Sequence, residues 1–235
     1  AEAKVTLPSV FGDRMVLQRD MPVSVWGWAD AGEAVEVTWQ GKTVSVTASE
    51  DGRWQVEFPS APAGGPHTLK VNDITIEDVL VGDVFLCSGQ SNMELPVRRV
   101  TDMFAHETET YQNKSIRHFI VPKVFDFNAP QEDMPKAEWK ECTHGNVMEF
   151  SALAYFFAKG LYEETGVPVG LVNSSWGGTP VEAWTSEEAL SASYPAHINE
   201  KRLYEDEGYR NRIKALEGED FYRWNTTMDS ADPGL

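Results

Sequence analysis

Between Val5 and Asp78 short apolar runs alternate with polar residues at a period of two, and clusters of turn residues separate them. Residues 15–17, 23–28, 35–39, 44–47, 54–58 and 67–71 carry the pattern. Asp30-Ala31-Gly32, Gln40-Gly41-Lys42, Glu50-Asp51-Gly52 and the proline-glycine stretch 62–66 interrupt it. Side chains two apart share one face of a strand, so the pattern predicts a small β-sandwich over residues 1–78. Exposed tryptophans in such a sandwich would suit sugar binding, but its plainer role is to brace a neighbouring domain.

The pattern then changes. Residues 74–83 lead without a flexible linker into Val84-Phe85-Leu86-Cys87, an apolar run that fits a buried strand. A looser stretch from Pro96 through His106 and Tyr111 follows. Residues 116–121 predict a second strand, ended by Pro122, and a polar, proline-bearing connection runs from there to residues 139–142. From Phe150 on, Leu153, Ala154, Phe157, Ala158 and Leu161 recur at helical spacing, and Gly166 and Pro168 stop the helix. A third strand begins at Val167. Strand, connection, strand, helix, strand indicates a parallel sheet, so residues 79–186 are expected to form an α/β domain packed closely on the sandwich. Thr185-Ser186-Glu187-Glu188 fits a capping box. Residues 187–235 are too charged and too sparsely apolar to fill a core, and predict a helical arm whose last seven residues begin a turn.

Composition narrows the partners more than the fold. At 235 residues the chain holds one large domain or two smaller ones. A formal charge of −17 argues against a nucleic-acid backbone or an anionic membrane surface. Its 8 Trp, 7 Tyr and 11 Phe offer flat apolar faces to sugar rings, although most aromatics in any domain are core. Two cysteines make neither a disulfide framework nor a zinc pattern, and Cys87 is expected to be a buried free thiol. No apolar run reaches the length of roughly 18 residues that a membrane span needs. The chain opens on Ala1-Glu2-Ala3-Lys4 without Met, which fits a secreted or periplasmic protein whose signal has been removed.

The candidate chemistry lies where the first apolar strand ends. Ser88-Gly89 breaks the strand, and Ser91 stands where the chain turns away, at the strand end where open α/β sheets bind ligands. Its hydroxyl would face a crevice, and its own N–H is a candidate oxyanion donor. Gly89-Gln90-Ser91-Asn92-Met93 is not the Gly-x-Ser-x-Gly elbow, having Met93 in place of the second glycine. After the third strand, Gly177-Gly178 lets backbone N–H groups approach a ligand.

Ser88-Gly89-Gln90-Ser91-Asn92-Met93 resembles the first block of the sialate O-acetylesterase family, a carbohydrate-esterase branch of the SGNH hydrolases, and residues 177–184 resemble its second. The likeness runs from Leu7 to Trp184, the amino-terminal part of such an enzyme. It implies a three-layer, flavodoxin-like α/β domain, incomplete in this chain. It also implies a serine esterase that removes O-acetyl groups, 9-O-acetyl sialate first, through an acetyl-serine intermediate and without metal or cofactor. In that reading Ser91 is the nucleophile and Gly178, or less favourably Gly177, an oxyanion donor. Gln90, Asn92, Glu182 and Trp184 are candidates for contact with the sugar, the last two being equally open to a structural role.

Family members carry the catalytic pair as Asp-x-x-His late in the sheet. None of His67, His106, His118, His144 and His197 has an aspartate three residues before it. The acid and base are therefore expected from a C-terminal portion outside this sequence, in the same or a separate chain. Two alternatives stand beside this reading: an esterase of the same fold acting on acetylated xylan or another acetylated carbohydrate, and a non-catalytic sugar-binding protein. Asn113, Asn173 and Asn225 each begin an N-glycosylation pattern, a short motif that arises often by chance.

Overall fold

The computed structural model describes residues 5–231, leaving aside the side chains of residues 106–108 and 229–231. The side chain of His106 and residues 232–235 of the expected terminal turn thus lie outside what is described. By the density of its internal contacts the chain forms two compact units. One holds the described residues up to Lys123 with Glu132–Thr179; the other holds Val124–Gln131 and the described residues from Pro180 on.

The first seven strands are β1 (Val16–Gln18), β2 (Val23–Trp28), β3 (Ala34–Trp39), β4 (Lys42–Thr47), β5 (Arg53–Phe58), β6 (Gly64–Val71) and β7 (Ile74–Gly89). β2 and β5 pair antiparallel as a sheet of their own. Alternation buries their Val25, Trp54, Val56 and Phe58 in one core with Val35, Val37, Leu69 and Val71 of the second sheet, which gives the two-sheet arrangement expected for residues 1–78. Asp78 interrupts neither β7 nor its course. It takes φ 56° within a strand of 16 residues that continues from the antiparallel sheet into the parallel one.

Beyond β7 come α1 (Ser91–Glu94), α2 (Thr101–Thr110), β8 (Asn113–Ile120), β9 (Trp139–Cys142), α3 (Ala152–Thr165) and β10 (Val169–Ser175). β10 lies between β7 and β8 and is parallel to both, as the strand and helix pattern predicts. Three details differ from the sequence reading. The stretch read as loose contains the kinked helix α2, non-helical at Phe104, whose few apolar residues gave no stripe. Residues 139–142 form an antiparallel edge strand on β8, in what the polar sequence marked only as a connection. The core face of α3 carries Ala154, Tyr155 and Ala158, whereas Leu153 and Phe157 are 55% and 48% exposed. The core thus takes only one side of the predicted stripe, and Leu153 and Phe157 on its other side line a groove beside Phe85. Ser151 Oγ caps α3 by accepting from Ala154 N–H at 3.2 Å, and Gly166 ends it at φ 67°.

β7 has two edges with different partners. Residues 83 and 89 bond towards β10, through Pro168 and Trp176, whereas Leu80 and Gly82 bond to β1 on the other side. Gln18 extends that second edge by one bond, its Oε1 accepting from Val84 N–H at 2.8 Å. Past Val84 no strand among the described residues covers it. Leu86 there is 71% exposed and borders an apolar groove of about 620 Å³ with Phe85, Met93, Leu153 and Phe157.

In the second unit Val181–Trp184 forms a 3-10 turn, followed by the helices α4 (Glu187–Ser193), α5 (Pro195–Glu205) and α6 (Glu207–Ala231). Ser186, not Thr185, caps α4, its Oγ accepting from Ala189 N–H. Leu190 and Ile198 are buried there, while Phe221, Tyr222 and Trp224 of α6 are exposed. Among the described residues no helix is long and apolar enough to cross a membrane. Both cysteines are buried and unpaired by disulfide, as expected of Cys87, and burial pushes both thiols up, Cys142 to about 11. Asn173 is also buried, which removes its glycosylation pattern from solvent.

One buried cation fastens β8 to the first half of β7. Arg117, 2% exposed, donates from Nη2 to Asp78 Oδ1 at 2.9 Å, from Nη1 to the Asp78 carbonyl, and from Nε to Lys114 O at 3.0 Å. Asp78→Ala leaves that guanidinium charged and buried with carbonyls alone. Because Asp78 itself is partly exposed, the loss expected is at the low end of that for breaking a buried pair, about 3 kcal/mol. Urea unfolding of wild type and variant checks it, and a difference below about 1 kcal/mol would contradict this role for the pair.

Candidate active site

β7, β10 and β8 are parallel, so their carboxyl ends open on one side of the sheet, where side chains beyond the last hydrogen bond are free to meet. Register brings Ser175 opposite Gly89, and Trp176 N–H continues the ladder to Gly89 O at 2.9 Å. The two motifs singled out in the sequence are therefore neighbours. At Gly89 the backbone takes φ 144°, open to glycine but strained for other residues, and this lets the chain leave the strand and enter α1 at Ser91.

A web of hydrogen bonds ties the loop at Ser91 to the loop at Gly177. Ser91 Oγ donates to Gln90 Oε1 at 3.1 Å, and Gln90 Nε2 donates to Thr179 O at 2.7 Å. Thr179 Oγ1 donates to Trp176 O at 2.7 Å, and Gly177 N–H donates to Glu94 Oε2. Glu94 Oε1 also receives the Lys123 ammonium, which sits 5.5 Å from the centre of the Trp176 ring. The backbone N–H groups of Ser91 and Gly178 have no hydrogen-bond partner among the described residues. Gly178 turns through φ 79°, a conformation that suits glycine.

The structure thus separates the candidates. Ser91, its N–H and the Gly178 N–H are exposed and free to meet a ligand, whereas the Gly177 N–H is already engaged. Gln90 uses both ends of its amide inside the protein and holds the Ser91 hydroxyl. Asn92 is exposed on α1. Glu182 and Trp184 belong to the second unit, where Glu182 Oε1 lies 3.5 Å from His197 Nε2 and Trp184 is 41% exposed.

Among the described residues no histidine hydrogen-bonds to Ser91. His67 meets Gln40 at 3.3 Å in the sandwich, His144 is exposed in a turn, and His118 is buried on β8, stacked on Phe150 with ring centres 4.5 Å apart. Burial, aided by Lys140, pushes His118 down to about 3. Gln90 is a poor substitute for a base: a neutral amide oxygen accepts a hydrogen bond but not a proton at neutral pH.

Glu94 and Lys123 are the residues that sequence reading missed. Ser91-x-x-Glu94 is the spacing of a capping box, which would explain the glutamate locally. No such cap forms, since Gln90 is the N-cap residue and makes no side-chain cap bond.

Comparison with known proteins shows the family. The family model for "Carbohydrate esterase, sialic acid-specific acetylesterase" matches residues 81–216, more than half of the chain. The sialate O-acetylesterase of Rattus norvegicus is 34% identical over 220 residues, covering 85% of this chain and 41% of that protein. That of Homo sapiens is 35% identical over 209 residues, covering 78% and 39%. The chain therefore spans only about two fifths of these relatives. A carbohydrate acetylesterase from Xanthomonas citri, solved as a crystal structure, superposes with a TM-score of 0.77 at 43% identity over 80% of this chain and 44% of that one. It supports the α/β architecture reached above.

The depressed His118 gives a pH effect with a defined sign. A free histidine titrates near 6.5 and His118 in the fold near 3, so below about 6.5 the unfolded chain binds a proton that the folded one does not. Stability is expected to fall from pH 7 to pH 5, and His118→Phe should flatten that fall. Denaturant midpoints at the two pH values measure it; equal slopes in both proteins would rule His118 out as the source.

Proposed function

The chain belongs to the sialic acid-specific acetylesterase family of carbohydrate esterases, and from that membership we propose that it supplies the nucleophile side of a serine esterase removing O-acetyl groups from sialic acid. One observation carries the reading. Ser91 stands at the carboxyl end of β7 beside two unpartnered N–H groups, its own and that of Gly178, in the two loops that the sheet makes neighbours.

In the proposed reaction Ser91 Oγ attacks the acetyl carbonyl carbon while its proton passes to a base. The carbonyl oxygen becomes an oxyanion facing the Ser91 and Gly178 N–H groups, each such donor contributing on the order of 3–4 kcal/mol. When the tetrahedral centre collapses, the bond from acetyl carbon to sugar oxygen breaks and the sugar oxygen takes the proton from the base. Water then gives a proton to the same base and attacks acetyl-Ser91, releasing acetate and restoring the hydroxyl. The Ser91 hydroxyl must turn from Gln90 Oε1 to that base, which requires only rotation about one side-chain bond.

We assign the base, a histidine with its aspartate, to residues that the longer relatives have and this chain does not span. The uncovered edge of β7 and the exposed apolar side chains beside it support entry there. A strand added to that edge would satisfy the outward backbone groups of residues 86 and 88 and cover Leu86, Leu153 and Phe157. Glu182 and Trp184 remain candidates for the sugar pocket. The likeness to a carbohydrate acetylesterase favours one second reading, in which the same chemistry acts on another acetylated carbohydrate such as acetylxylan.

Acetate release from 9-O-acetyl sialate and from acetylxylan, measured with the base-supplying segment present, tests both. Ser91→Ala is expected to lower it by at least about a thousandfold with the fold intact. Undiminished release in that variant would end the serine reading, and a preference for acetylxylan would move the chain to the second substrate. Sugar binding that survives Ser91→Ala, with no acetate released by either protein, would instead favour a binding role.

A further inference from the structure

We propose that Glu94 is a positioning residue that sets the oxyanion loop, an inference that rests on the esterase reading of Ser91 and Gly178. The carboxylate joins three segments, each following one of the parallel strands. Glu94 itself lies on α1, after β7; Oε2 takes the N–H of Gly177, after β10; Oε1 takes the ammonium of Lys123, after β8. No contact within α1 explains the side chain's orientation, because the cap that its spacing suggests is not made.

The contact also decides which glycine faces the ligand. The loop offers two consecutive N–H groups, and the carboxylate occupies the first. Charge-assisted hydrogen bonds to a carboxylate are about twice as strong as neutral ones, so Gly177 is held inward and the free donor is Gly178. The fit is close: a Cβ on Gly177 would collide with Glu94 Oε2 and lie 3.6 Å from Ser91 Cα. Lys123, with its ammonium over the Trp176 ring, neutralises the carboxylate, so the negative charge held beside the oxyanion site is offset. Without Lys123 that charge would oppose the developing oxyanion; without Glu94 the loop could present either N–H, or neither, at the required distance.

The test compares Glu94→Ala and Glu94→Gln in the protein that carries this chain together with the segment supplying the base. Amide resonances of Gly177 and Gly178 and their hydrogen exchange are followed by NMR, and acetate release is measured on the same preparations. In Glu94→Ala the Gly177 amide should move upfield and exchange at least about tenfold faster, while amides of β10 keep their protection. kcat should fall about a hundredfold with KM changed less than twofold. Glu94→Gln keeps an oxygen for Gly177 and should recover most of both. Unchanged Gly177 exchange in Glu94→Ala would overturn the contact. Loosened Gly177 with unchanged kcat would overturn its bearing on the reaction. If the protein without substitutions, base-supplying segment included, releases no acetate, the esterase reading fails, while the amide measurements still decide whether Glu94 holds Gly177.

Discussion

The structure depends on the need of one long strand to satisfy its backbone hydrogen bonds along two different sheets. Over its first half β7 bonds to β6 as part of an antiparallel sheet, and over its second half to β10 as part of a parallel one. Buried N–H and C=O groups left unpaired are costly, so wherever β7 runs, its neighbours are fixed in register with it. The change of partner comes between Val81 and Asp83; earlier, where the β6 register shifts between Ile76 and Val79, Asp78 takes φ 56° and Arg117 from β8 holds both its carbonyl and its carboxylate. The sandwich is thereby a continuation of the catalytic sheet's first strand and braces it directly.

The same register builds the candidate site. Because β10 is parallel to β7 and ends with it, the loops after the two strands emerge together, and the ladder runs one bond further into them through Trp176 N–H and Gly89 O. Side chains then take over from the backbone. Gln90 reaches across to Thr179, Glu94 to Gly177, and Lys123 closes the third side. Neither Glu94 nor Lys123 needs to touch a substrate to matter, since each limits where the Gly178 N–H can point. The serine itself is held by a neutral amide, an arrangement that orients a hydroxyl without activating it.

Much of the free surface is explained by the sheet as well. β1 covers the outer edge of β7 for only three residues, and the apolar side chains of β7 and α3 past that point have no cover among the described residues. Exposed apolar surface beside an unpaired strand edge is an invitation to pairing. It lies near Ser91, on the edge where the proposed base would enter.

The alternation of residues 5–78, the apolar run ending at Ser91, the helix stopped by Gly166 and the paired glycines were legible in sequence because each is a local preference: side-chain period, turn chemistry, positive φ. Those preferences fixed the α/β class and the two loops that carry the site. The polar edge strand at Trp139–Cys142 and the weakly apolar helix at Thr101–Thr110 were not legible, since an edge strand buries only part of its side chains and α2 has no clear apolar stripe. Nor was the true face of α3, because Leu153 and Phe157 are as apolar as the residues that face the core. The pairing of Glu94 with Gly177, 83 positions away, is invisible to any local rule. Sequence determined which residues have the chemistry; only the parallel register of β7, β10 and β8 decided which of them meet, because contacts between distant residues are set by the shared backbone ladder.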